Sequence, residues 1–160
     1  KNIDYDWHFR FDDDDLYGKN YIRNQIAIAN FYDADFTGKR LSFIKKYKSK
    51  NICLRSDSES WILPKIIHNR IYKIGLNDEL HVAGATFGLS SRLFKKIQFD
   101  ESTSNAADLI FQREVFDSND ITVVCSDGFD FVAQRHDNHT WRVPNKNFFG
   151  SRVDDMEVFE

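Results

Sequence analysis

The chain has 160 residues, 41% of them hydrophobic and 29% charged, with a formal net charge of −3 from 22 basic and 25 acidic side chains. That composition suits one globular domain with a sizeable core and excludes a disordered or collagen-like polymer. The slight acidity gives no general drive toward nucleic acid or an anionic membrane surface, and no apolar run reaches the roughly 20 residues of a membrane span.

In chain order, "WHFRF" (7–11) alternates, with Trp7, Phe9 and Phe11 on one face and His8 and Arg10 on the other. Period-two alternation predicts a strand running into four consecutive aspartates, Asp12 to Asp15. After Gly18, "NYIRNQIAIANFY" places Ile22, Ile26 and Ala29 on one helical stripe, with Asn20 as N-cap. "ADFTGKRLSFIKKY" reads as strand material, and "CLRSDSESWILP" as a loop with a possible strand. The lysines Lys45, Lys46, Lys48 and Lys50 read as a solvated turn, with a phosphate-facing role the alternative.

"LHVAGATFGL" is apolar and punctuated by glycine, and Ser90-Ser91 before "RLFKKI" marks a helix start. "SNAADLIFQREVF" (104–116) predicts another helix, "DITVVCSD" and "FDFVAQRH" two further strands, and the acidic tail 150–160 is expected to fray. Alternating strands and helices favour a layered α/β sheet. Cys53 and Cys125 have no metal-ligand spacing and no evident disulfide framework, so a reducing compartment is expected, with a pairing of the two the alternative.

Three groups of residues could carry chemistry. On a strand, Asp12 and Asp14 would share a face, and two carboxylates so close call for a proton or a hard divalent ion between them. A solvated acidic turn is the alternative. "RHDNHTW" (135–141) offers His136, Asp137 and His139 as ligands or acid/base groups and Trp141 as a flat platform, against the plainer reading of a strand-end histidine. Asp108 sits near a helix N-terminus, where the dipole favours its charged form; it either accepts a proton or merely complements the dipole.

Taken in order, these blocks resemble the catalytic core of a family 2-type glycosyltransferase with the GT-A fold. "FDDDDLYGKNYI" looks like its D-x-D strand and following helix, and "ADFTGK" like the next strand. "VAGATFGLSSRLFKKIQFDE" is similar to its acceptor-side segment, "NAADLIFQREV" to the helix with the catalytic base, and "DGFDFVAQRHDNHTW" to the terminal strand and His-containing loop of a bacterial subgroup. Two departures stand out: Ala107 precedes Asp108 where the family writes Glu, and the N-terminal nucleotide-binding half has no counterpart ahead of the D-x-D strand.

The resemblance implies a GT-A (Rossmann-like) α/β domain over 1–149, with a mixed sheet flanked by helices. It implies a nucleotide-sugar donor, a glycan or other hydroxyl acceptor, and Mn²⁺ or Mg²⁺. Asp12, Asp14 and Asp15 would meet the donor diphosphate, and Asp12, Asp14, His136 and His139 would hold the metal. Asp108 would be the catalytic base of an inverting transfer, and Gly84, Ala85 and Trp141 would receive the acceptor, with Trp61 a further stacking surface. A cytoplasmic enzyme of polysaccharide biosynthesis is then expected, held at a membrane, if at all, through parts outside this chain. The competing classes are a glycan- or partner-binding module without catalysis and a metal-dependent phosphohydrolase.

Overall fold

The computed structural model describes residues 6–39, 42–46, 52–55, 65–68, 82–99, 107–118, 120–136 and 155–156. Their elements in chain order are β1 (Trp7–Phe9), β2 (Leu16–Tyr17), α1 (Tyr21–Phe31), β3 (Phe36–Lys39), β4 (Ser42–Lys46), β5 (Ile52–Arg55) and β6 (Lys65–His68). A 3-10 turn (Gly84–Thr86), β7 (Gly88–Ser90), α2 (Ser91–Lys96), α3 (Ala107–Asp117), β8 (Thr122–Ser126), β9 (Phe131–Arg135) and β10 (Asp155–Met156) follow.

The strands form two five-stranded sheets, ordered β1-β7-β3-β8-β6 and β10-β5-β4-β9-β2, rather than the one layered sheet that alternation suggests. Both are mixed. β3 lies parallel to β8 in the first sheet, and their successors β4 and β9 lie parallel in the second, while the other pairings are antiparallel. The two parallel tracks do not keep one register: Phe36 faces Val123, but Phe43 faces Val132, so the β8–β9 connection holds two extra residues. Asp130 takes up that excess with φ of 62°. Its carbonyl accepts from Gly18 N (2.9 Å) and its carboxylate from Asn24 Nδ2 (2.7 Å), which ties the connection to the start of α1.

Alternation along β3 and β8 sends side chains to two different layers. Phe36, Val123 and Cys125 join Phe87, Leu89, Leu93, Phe111 and Val115 in the main core under α2 and α3. Val124 packs instead with Ala29 of α1 and with Ala34. Helices therefore cover both faces of the first sheet. The main core is built of rings, Phe99 stacking on Phe111 at 4.2 Å and Phe36 meeting Phe87 edge-on at 5.1 Å. Burying each such side chain contributes about 1.5–3 kcal/mol.

The inward stripe of α1 departs from the expectation. Tyr21, Gln25 and Ala29 are buried, whereas Ile22 is 43% exposed. Specific polar contacts outweigh apolar character here. Gln25 donates to Tyr21 Oη and to the Thr86 carbonyl (both 3.2 Å) and accepts from Thr37 Oγ1 (2.8 Å), so its amide joins α1, β3 and the 3-10 turn. Asn20 does occupy the N-cap position, but its side chain makes no capping bond. The entry is closed by Tyr21 N donating to the Gly18 carbonyl (3.0 Å). Ser90 caps α2 as expected, accepting from Leu93 N (3.2 Å).

Two further expectations change. Lys45 and Lys46 belong to β4 rather than to a turn. In the acidic tail, Asp155–Met156 pairs antiparallel with β5, because β5 presents an edge that another strand can complete. Lys48, Lys50 and Trp61 lie outside the described residues. No helix among the described residues is long and apolar enough to cross a membrane.

Candidate functional site

β1 ends at Phe9, so Asp12 to Asp15 form a tight turn instead of continuing the strand; Asp15 N donates to the Asp12 carbonyl (3.4 Å). The turn, not strand alternation, gathers the carboxylates. One oxygen each from Asp12, Asp14 and Asp15 lie within 4.8 Å of one another. β2 follows and pairs with β9, which draws the far end of the chain to the cluster. Gln134 N donates to Asp15 Oδ1 (2.8 Å) and Gln134 Nε2 to the Asp14 carbonyl (2.7 Å), while His136 Nε2 lies 2.7 Å from Asp14 Oδ2.

Tyr17 joins this turn to the 3-10 turn Gly84–Thr86. Its hydroxyl accepts from Asp12 N (2.9 Å) and donates to the Ala85 carbonyl (2.9 Å). Across the site, Asp108 stands in the first turn of α3. Its carboxylate lies against Gly84 so closely that a Cβ there would collide with it; this is the position where only glycine lets backbone and carboxylate meet. Gln112, one turn along α3, fixes that approach: it accepts from Val82 N (2.8 Å) and donates to the Val82 carbonyl (3.1 Å).

Arg10 spans the two halves. Its Nη1 donates to Asp108 Oδ1, and its Nε lies 3.9 Å from Asp12 Oδ1. Phe99 offers a ring face 5.6 Å from the guanidinium carbon, and Arg10 N is anchored on the Phe87 carbonyl (2.9 Å). Asp12, Asp14, Asp15, His136, Asp108, Gly84 and Ala85 therefore gather at one place. His139 and Trp141 lie outside the described residues.

The electrostatics follow from partial burial of like charges. Burial pushes the Asp15 carboxyl up to about 6, with Asp14 and Asp12 adding to the rise and the Gln134 N–H and His136 opposing it. Asp12 is also raised, mainly by burial; Arg10 pulls the other way, while Asp108, Asp14 and Asp13 add to the rise. Burial likewise raises the Tyr17 phenol, which stays protonated and able to donate to Ala85. Three convergent carboxylates are a donor set that could hold a hard divalent cation. His136 Nε2 meets Asp14 Oδ2 but is not among the three groups whose ligand atoms converge.

Arg10 and Tyr17 escape sequence reasoning. The one available signal for Arg10 is a lone cation in an aromatic strand just ahead of an acidic run, and nothing local announces Tyr17. No protein-family model matches this chain, and no curated protein matches it.

Proposed function

We propose that the chain is the catalytic-core portion of an inverting, metal-dependent glycosyltransferase of the GT-A type, moving a sugar from a nucleotide-sugar donor to a hydroxyl of a glycan acceptor. One observation carries the reading. Asp12, Asp14, Asp15 and His136 come together with Asp108, which lies against Gly84, and Arg10 reaches both Asp12 and Asp108, although these residues come from well-separated segments. The proposed transfer needs a group that steadies the departing diphosphate and a base for the acceptor hydroxyl close to one another.

In this reading Asp12, Asp14 and Asp15 hold the cation, with His136 beside them. The cation, when bound, neutralises the charge that builds on the departing diphosphate. Gly84 and Ala85 give the acceptor a surface without bulk, where its hydroxyl reaches Asp108. Asp108 takes the hydroxyl proton as the oxygen bonds to the anomeric carbon and the glycosidic C–O bond on the opposite side breaks, which inverts that carbon. Tyr17 keeps the two sides in register through its paired bonds to Asp12 and Ala85.

Calorimetry of Mn²⁺ or Mg²⁺ binding, followed by transfer assays over a set of nucleotide sugars with and without EDTA, tests the reading. Asp14→Asn should abolish EDTA-sensitive transfer, and normal transfer by that variant would refute the assignment of the cluster. The ion pair between Arg10 and Asp108 favours a second reading, a glycan- or partner-binding module on the same scaffold, because it occupies the would-be base. That reading predicts no turnover of any nucleotide sugar and glycan or partner binding indifferent to EDTA.

A further inference from the structure

Arg10 is an odd neighbour for a cation site. A guanidinium 3.9 Å from Asp12 repels a divalent ion held by that carboxylate, unless an anion comes to lie between them. Its present partner Asp108 is the one group that the proposed reaction needs unencumbered. An oxygen already accepting an Arg10 N–H has that lone pair engaged, so it cannot use it for an acceptor hydroxyl. The pair is also not locked away: the Arg10 and Asp108 side chains are 37% and 36% exposed. With Arg10 N pinned to the Phe87 carbonyl, only the side chain has to swing, and Phe99 gives it a flat surface to move along.

We propose that Arg10 exchanges partners: it holds Asp108 while the donor is absent and turns to the donor's diphosphate when that arrives, releasing Asp108 to serve the acceptor. This inference rests on the function proposed above. The driving force is charge. A diphosphate beside Asp12 presents several anionic oxygens to the planar fork of Arg10, where Asp108 presents a single partly solvated carboxylate. The exchange forms and breaks only hydrogen bonds and ion pairs.

Calorimetric titration of pyrophosphate in saturating Mn²⁺, on the intact protein and its variants, reads the exchange without any turnover. Arg10→Gln should weaken pyrophosphate about tenfold, and Arg10→Lys, which keeps the charge, should recover part of that loss. Asp108→Asn should tighten it by about two- to fivefold, since the competing ion pair is gone. In the Arg10→Gln background, Asp108→Asn should give no such gain. Equal gains in both backgrounds, or wild-type affinity in Arg10→Gln, would overturn the exchange while leaving the metal site intact. Absence of Mn²⁺ uptake in a metal-only titration would overturn the proposed function and this inference together.

Discussion

Replacing Gln25 with leucine keeps most of the side-chain volume and deletes an amide that three elements share. Gln25, Thr37 and Thr86 are all fully buried. In the variant the Thr86 carbonyl loses its donor and Thr37 Oγ1 loses its acceptor, while Tyr21 Oη loses one contact. A buried polar group left without its partner costs about 1–3 kcal/mol, so two of them come to about 2–6 kcal/mol. At about 2–4 °C per kcal/mol for a chain of this size, the melting temperature should fall by about 4–24 °C. Adding Thr37→Val removes one stranded hydroxyl and should return about 1–2 kcal/mol. Thermal and urea denaturation of the two variants measure both steps. A single variant that melts within about 1 °C of wild type, or a double variant no more stable than the single, would refute the account of this polar junction.

Three further outcomes follow from the same geometry. Gly84→Ala should push the Asp108 carboxylate aside, lowering kcat by about 100-fold while Mn²⁺ affinity stays unchanged; equal loss of both would show that the glycine supports the cluster rather than the base. Because the Asp15 carboxyl is raised to about 6, the folded state holds a proton there that the unfolded chain has already released. Its contribution to stability is therefore present below the ordinary carboxylate range and lost as pH rises through about 6. Mn²⁺ should bind more weakly as pH falls through that value, and should raise the melting temperature more at pH ~7.5 than at pH ~5; equal shifts at both would remove Asp15 from the ligands. Lys39 is fully buried, with its Nζ 3.0 Å from the Asp127 carbonyl, and burial lowers its pKa despite the Asp127 charge. Between that lowered value and 10.5 the unfolded chain binds more protons than the folded one, so wild type should gain stability there. Lys39→Met should lack that gain in urea midpoints compared at neutral and alkaline pH.

Much of the local structure was legible because it depends on neighbours in sequence. Ser90 before Leu93 is a cap by chemistry alone, and the alternation of Trp7, His8 and Phe9 leaves a strand as the simplest outcome. The inward face of α1 was not legible, because Gln25 is buried for the sake of Thr37 and Thr86, twelve and sixty-one residues away. The division into two sheets was equally hidden. The stretch that holds Phe36–Lys39 and Ser42–Lys46 reads as strand material, but nothing in it says that the second of these strands pairs in a different sheet. At the site, Asp12, Asp14, Asp108 and His136 were singled out by residue type and motif, and Gly84 by the block that contains it. The contact between Arg10 and Asp108 crosses 98 residues and leaves no periodic trace in either segment. Long-range ion pairs are selected by shape after the chain has collapsed, which is why local reading passes over them.

The register excess at Asp130 and the pairing of β2 with β9 mean that the acidic turn acquires its arrangement from the last third of the chain. His136 meets Asp14 across 122 residues. During synthesis, a ribosome extends the chain for many seconds after the four aspartates emerge, at roughly 5–20 residues per second. The nascent polypeptide thus carries its carboxylates long before the imidazole, the Gln134 amide and Asp108 exist to organise them, and the acidic turn settles into its final arrangement only once residue 136 has been made.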